Sequence, residues 1–145
     1  MGLDLVGTIS QSWRVNISFT KKGDWGLYTV RGEPSKAELI AACKAVCTAL
    51  DVKHVVWDFT DGIIGQLSRE DFTEIARAAK ASIPHGVERK TAYVGPSEVV
   101  FVLLCMYSAI AVMEEIPGEF SAFRTMREAE QWLGASSAGT TEGKI

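Results

Sequence analysis

The sequence predicts a single α/β domain whose five-stranded mixed sheet carries a hairpin at one side and about four covering helices. Three observations predict it. Residues 12–19 alternate Trp13, Val15, Ile17 and Phe19 with Ser12, Arg14, Asn16 and Ser18, the period of a strand buried on one face. Further along, short apolar runs of strand length alternate with amphipathic stretches of helical length, the order that builds parallel strands joined by crossover helices. The length of 145 residues suits one core, and such a chain buries roughly two-thirds of its unfolded surface without help from metal or disulfide.

The elements follow in order. Lys21, Lys22, Gly23 and Asp24 supply turn chemistry after the first strand, so residues 25–30 read as its hairpin partner, ended by Gly32. From Ser35, the expected N-cap, the pattern turns helical: Leu39, Cys43, Val46, Cys47 and Leu50 fall on one stripe. Residues 54–58 form a short apolar run suited to a central strand, with Thr60, Asp61, Gly62 and Gly65 expected in the loop behind it. Ser68 opens the next helix, whose first turn is acidic, as the helix dipole favours; Phe72, Ile75, Ala76, Ala79 and Ile83 form its buried face, and Pro84 lies beyond it.

Residues 91–94 read as a fourth strand closed by Gly95 and Pro96, and a third helix is expected from Ser97 to about Glu115. Ile116, Pro117 and Gly118 break it. A last strand over 120–123 precedes a helix with Met126, Ala129, Trp132 and Leu133 on one face. The expected domain therefore covers 1–133, and 134–145, rich in Gly, Ser, Thr and Ala without periodicity, reads as a flexible tail.

Composition narrows the function classes. The net charge is −3 and the basic residues are scattered, which gives no footprint for nucleic acid. Cys43, Cys47 and Cys105 are odd in number and lie in apolar stretches, so buried free thiols in a reducing, cytoplasmic compartment are expected rather than disulfides. No secretory signal is read at the N-terminus. The apolar stretch 99–113 would be about 22 Å long as a helix, short of the roughly 30 Å hydrocarbon layer, so a membrane span is not expected.

The order hairpin, helix, strand, helix, strand, helix, strand, helix resembles the STAS-like domains, in particular the SpoIIAA-like branch related to Sec14-type lipid carriers. The segments that carry the resemblance are Val55, Val56, Trp57, Asp58, Phe59 and Thr60 with the later Gly65 and Asp71; the strand and turn Ala92, Tyr93, Val94, Gly95 and Pro96; and Phe123, Arg124, Glu128, Ala129, Trp132 and Leu133 near the end. It covers about 12–133. It implies a bacterial regulatory or ligand-binding module without chemistry of its own and without a cofactor. In the anti-sigma-factor antagonists of that family a hydroxyl at the start of the second helix is phosphorylated. That position falls on Leu67 here, and only the neighbouring Ser68 carries a hydroxyl. Ser68 is read first as an N-cap, with a phosphoswitch as the alternative.

No enzyme site can be assembled. Cys43 and Cys47 share a helical face, yet that face is apolar, so core packing outweighs metal ligation. His54 and His85 have no nucleophile that spacing assigns to them. Glu70, Asp71 and Glu74 with Arg69 and Arg77 read as a solvated helix start with local ion pairs. The third helix is different, because it is apolar all round, whereas a surface helix needs one apolar face only. Its second cover could come from loops of the chain, a second copy in a homodimer, another protein, or a hydrophobic small molecule held against the sheet. Phe101, Leu104, Met106, Tyr107 and Ile110, with Trp57 on the sheet, are the expected partner or ligand surface.

Overall fold

A computed structural model describes residues 17–47, 52–84 and 86–141. Its elements are β1 (Ile17–Lys22), β2 (Trp25–Gly32), α1 (Lys36–Cys47), β3 (His54–Gly62), α2 (Arg69–Ser82), β4 (Lys90–Val94), α3 (Glu98–Met113), β5 (Glu119–Phe123) and α4 (Met126–Thr141). The strands lie side by side in chain order. β1 and β2 pair antiparallel, and β2, β3, β4 and β5 run parallel. This is the expected five-stranded mixed sheet with its hairpin at one edge. Within the expected first strand, residues 12–16 lie outside the described residues, as do Leu50 and His85.

Local chemistry explains each boundary. Gly23 has φ 64 at the first central position of the two-residue turn between Lys22 and Trp25, the place where a hairpin needs a residue tolerant of positive φ. Ser35 and Glu38 form a reciprocal cap on α1: the Ser35 hydroxyl accepts from the Glu38 amide at 3.0 Å, and the Glu38 carboxylate accepts from the Ser35 amide at 2.8 Å. Ser68 and Asp71 do the same for α2, and the Ser97 hydroxyl accepts from the Val100 amide to cap α3. Each cap satisfies donors that a helix start leaves open.

Three crossovers that all step the same way along the sheet place α1, α2 and α3 on one face, as the right-handed rule requires. Tyr28, Val55, Trp57, Tyr93, Leu104 and Tyr107 belong to the larger core beneath them. α4 covers the other face, where Val56, Ala92, Val94, Ala129 and Leu133 form a smaller core. Lys90 ties α4 down: its ammonium donates to the Trp132 carbonyl at 3.0 Å and lies 4.3 Å from the centre of the Trp132 ring.

Several expectations are corrected. Thr60, Asp61 and Gly62 are strand, not loop: Arg31 pairs with Asp61 and Gly32 with Gly62 after a register shift. The Asp58 carboxylate there accepts from both the amide and the hydroxyl of Thr60, which supports the extra residue of a bulge. α4 is helical through Thr141, past residue 133 where the expected domain ends, and residues 142–145 of the expected tail lie outside the described residues. The charges of α2 do not pair along their own helix. Lys36 of α1 reaches Glu74 at 2.6 Å and Asp71 at 3.4 Å, and Arg77 reaches Glu114 at 3.0 Å, so these pairs tie α2 to its two neighbours.

Candidate functional site

α3 has two apolar faces, and the fold covers one. Val100, Leu104, Tyr107, Ile110 and Ala111 are buried against sheet and α2. Tyr107 sets its ring edge-on to Phe72 and Tyr93, with centroids at 5.8 and 5.5 Å. The N-terminal turn of α3 comes close to the end of β4 because residue 95 is glycine; a Cβ there would lie 2.7 Å from Val100 and 2.9 Å from Leu104.

The opposite face is open. Val99 is 66% exposed, Val102 54%, Val112 63% and Met113 68%; these are four of the six large apolar side chains exposed among the described residues. Cys105 and Ala109 between them are also exposed, and Phe101, Leu103 and Met106 are half-buried at the borders. Val99, Val102, Met106, Ala109 and Met113 stand at i, i+3, i+7, i+10 and i+14, the a and d positions of two heptads. Glu98 is the one charged residue on this face. Arg124 donates to Glu98 at 2.8 Å and lies 4.1 Å from the Phe101 ring centre. At the far end, Glu114 takes two bonds from Arg77, at 3.0 and 3.3 Å. An acid–base pair therefore brackets the apolar strip at each end.

This placement divides the expected partner or ligand surface between the two sides of α3. Leu104, Tyr107 and Ile110 are inward residues, and Trp57 lies under the helices, stacked 4.4 Å from Tyr28. A charge at Leu104 would disrupt the core rather than an interface. Phe101 and Met106 alone of the expected set border the open face. Cys105, expected buried, is exposed. The heptad spacing was present in the sequence, but an all-apolar helix conceals which of its stripes points outward.

The inner side of α3 has little room. Two gaps between the helices and sheet, of about 60 Å³ and about 40 Å³, share Cys43, Trp57, Tyr93 and Tyr107 in their walls. Such volumes suit a few waters and fall short of the roughly 300 to 1,000 Å³ of pockets that enclose drug-sized ligands. Burial dominates the chemistry here. It pushes the Cys43 thiol up to about 12, with Cys47 adding to the shift, and raises the Tyr93 and Tyr107 phenols well above their ordinary value. Cys47 is raised by burial, against the pull of Arg89, and its thiol donates to the Ala79 carbonyl at 3.4 Å. These thiols are protonated core groups, not poised nucleophiles or thiolate ligands.

The remaining candidates lie elsewhere. Ser68 is exposed at the start of α2, engaged with Asp71 at 2.9 and 3.0 Å, and is not part of the open face of α3. His54 stands at the start of β3, where its Nδ1 accepts from the Lys90 amide at 3.3 Å; burial lowers its pKa, which favours the neutral ring. Among the described residues, no helix is long and apolar enough to cross a membrane.

No family model matches the chain, and no curated protein matches it. Among solved structures the chain is similar to the anti-sigma factor antagonist SpoIIAA in its unphosphorylated form, at 13% sequence identity, covering 81% of this chain and 97% of that one, with a TM-score of 0.49.

Proposed function

We propose that this protein is a non-catalytic regulatory interaction module that acts through the outer face of α3, and that the partner seated there is a second copy of the chain. The observation that carries the reading is the uncovered strip of Val99, Val102, Val112 and Met113. Scattered exposed apolar residues are normal, whereas a contiguous patch on the order of 400 Å² rimmed by polar groups marks an interaction surface. The strip has the repeat of a helix that packs against a like helix, and it bears no charge run that would select an oppositely charged protein.

The energies suit a reversible dimer. Covering side chains that are half to two-thirds exposed contributes about 1 to 2 kcal/mol each. Over both copies that is on the order of 10 kcal/mol, and an association cost of at least ~4 kcal/mol leaves about 6 kcal/mol at most, a dissociation constant of tens of micromolar or weaker. The carrier reading, a lipid-like molecule between α3 and the sheet with Trp57 and Tyr107 as walls, would need the two small gaps beneath α3 to widen several-fold. The experiment is sedimentation equilibrium from the micromolar to the sub-millimolar range on the native chain and on Val102→Glu. The expected result is a concentration-dependent dimer that the substitution abolishes while the circular dichroism spectrum is unchanged. A native chain that stays monomeric throughout, or a Val102→Glu variant that dimerises equally well, would refute the reading.

A further inference from the structure

The faces and ends of α3 carry more information than the existence of a contact. We infer that two copies pair α3 against α3 in antiparallel orientation, about a two-fold axis that passes beside Cys105 and Met106. The inference rests on the proposed self-association and specifies its geometry.

Three features favour that orientation. The first is side-chain size. Antiparallel overlap about the middle of Glu98–Met113 sets Val99 beside the partner copy's positions 112 and 113 and Val102 beside its position 109. Large then meets small along the seam. A parallel pair would stack Met113 on Met113 and Ala109 on Ala109, crowding one layer and leaving the other hollow. The second is charge. Arg124 with Glu98 brackets one end of the strip and Arg77 with Glu114 the other. Antiparallel pairing brings these unlike ends together, so the exposed Glu98 faces the end that carries Arg77 in the other copy; parallel pairing opposes Glu98 to Glu98 and Arg124 to Arg124. The third is the backbone, since antiparallel helices place the positive end of each dipole beside the negative end of the other. The paired length is about 24 Å. With its half-buried borders, such a strip reaches the low end of specific interfaces, roughly 600 Å² per copy.

Symmetry makes the orientation measurable. Cys105 lies to one side of the seam, on the flank shared with Val112 and Phe101. In an antiparallel pair the two-fold axis is perpendicular to both helices, so both Cys105 residues fall on the same side and at the same height, next to the axis. In a parallel pair the axis runs along the helices and throws the two thiols to opposite sides of the seam. Met106, half-buried at the inner border of the open face, is an a position of the heptad seam and meets its mate in either arrangement. Cys105 is the exposed thiol of the three, Cys43 and Cys47 being buried.

The test is oxidative cross-linking with copper phenanthroline, read on non-reducing gels. Three chains are compared: the native chain, Cys105→Ser, and a Cys105→Ser chain that also carries Met106→Cys. The expected result is a covalent dimer as the major product from the native chain, none from Cys105→Ser, and a dimer from the Met106→Cys chain. Adding Val102→Glu to the native chain should lower the cross-linked yield at least tenfold. A dimer from the Met106→Cys chain with none from the native chain would overturn the antiparallel geometry while leaving self-association through α3 intact. No cross-link from either chain, with a monomer in sedimentation, would remove the underlying reading and this geometry with it.

Discussion

Truncating Leu104 to alanine separates the two faces of α3 most sharply. Leu104 is 2% exposed; it packs over Gly95 and helps to wall the gap of about 40 Å³ with Trp57, Phe72 and Tyr107. Leu104→Ala removes three carbon atoms, a transfer loss of about 2.4 kcal/mol at ~0.8 kcal/mol per methylene. It also vacates roughly 80 Å³. The sheet and the three aromatic rings already leave a void here, so the walls will close poorly. If half of the vacated volume persists, the cavity adds about 1 kcal/mol at ~24 cal/mol per Å³. The expected total is about 3 to 4 kcal/mol. Val102→Ala, two residues away and on the open face, should cost less than about 0.5 kcal/mol in the monomer. Urea unfolding followed by circular dichroism gives both values, at concentrations low enough that dimerisation does not contribute to stability. A loss below about 1 kcal/mol for Leu104→Ala, or one above that for Val102→Ala, would show that the faces of α3 have been assigned the wrong way round.

Two further substitutions probe the frame around the site. Ser68→Ala should cost about 1 kcal/mol as a lost cap, and Ser68→Glu should leave self-association unchanged; a tenfold loss of affinity would instead make Ser68 a switch. The same capping box has a pH signature. The Ser68 amide above all, with Lys36, holds the Asp71 carboxyl below its ordinary value, so its contribution is complete above the unfolded pKa near 4 and fades as pH falls through the lower folded value. Urea midpoints of the native chain and Asp71→Asn should differ at neutral pH and converge in that acid range. Gly118 has φ 114, and a Cβ there would run into the backbone carbonyl of Arg89. Gly118→Ala should therefore lose about 2 kcal/mol or more, and a thermal midpoint within 2 °C of the native one would contradict that packing.

The order of elements and many of their ends are legible in the chain alone, because they depend on neighbours a few residues apart. The hydroxyl caps Ser35, Ser68 and Ser97 and the turn at Gly23 are legible for that reason; the one-sided burial read from the alternation over 12–19 is not kept in β1, where Ile17 is half-buried and Phe19 exposed on an edge strand. Periodicity also exposed α3 as a helix with more apolar surface than one sheet can cover. Which of its stripes the sheet takes is set by long-range packing. A helix apolar on every side has no moment to orient it, and the choice is made by what lies beneath: the ring edges of Phe72 and Tyr93 receive Tyr107, and the bare backbone of Gly95 admits Leu104. That choice turns Leu104, Tyr107, Ile110 and Trp57 inward and leaves Val99, Val102, Cys105, Ala109, Val112 and Met113 on the open face. It also placed Arg77 and Arg124, 47 residues apart in the chain (124 − 77), at opposite ends of the same helix. Long-range packing of this kind has no local sequence signal, because it depends on which surfaces the crossovers bring together.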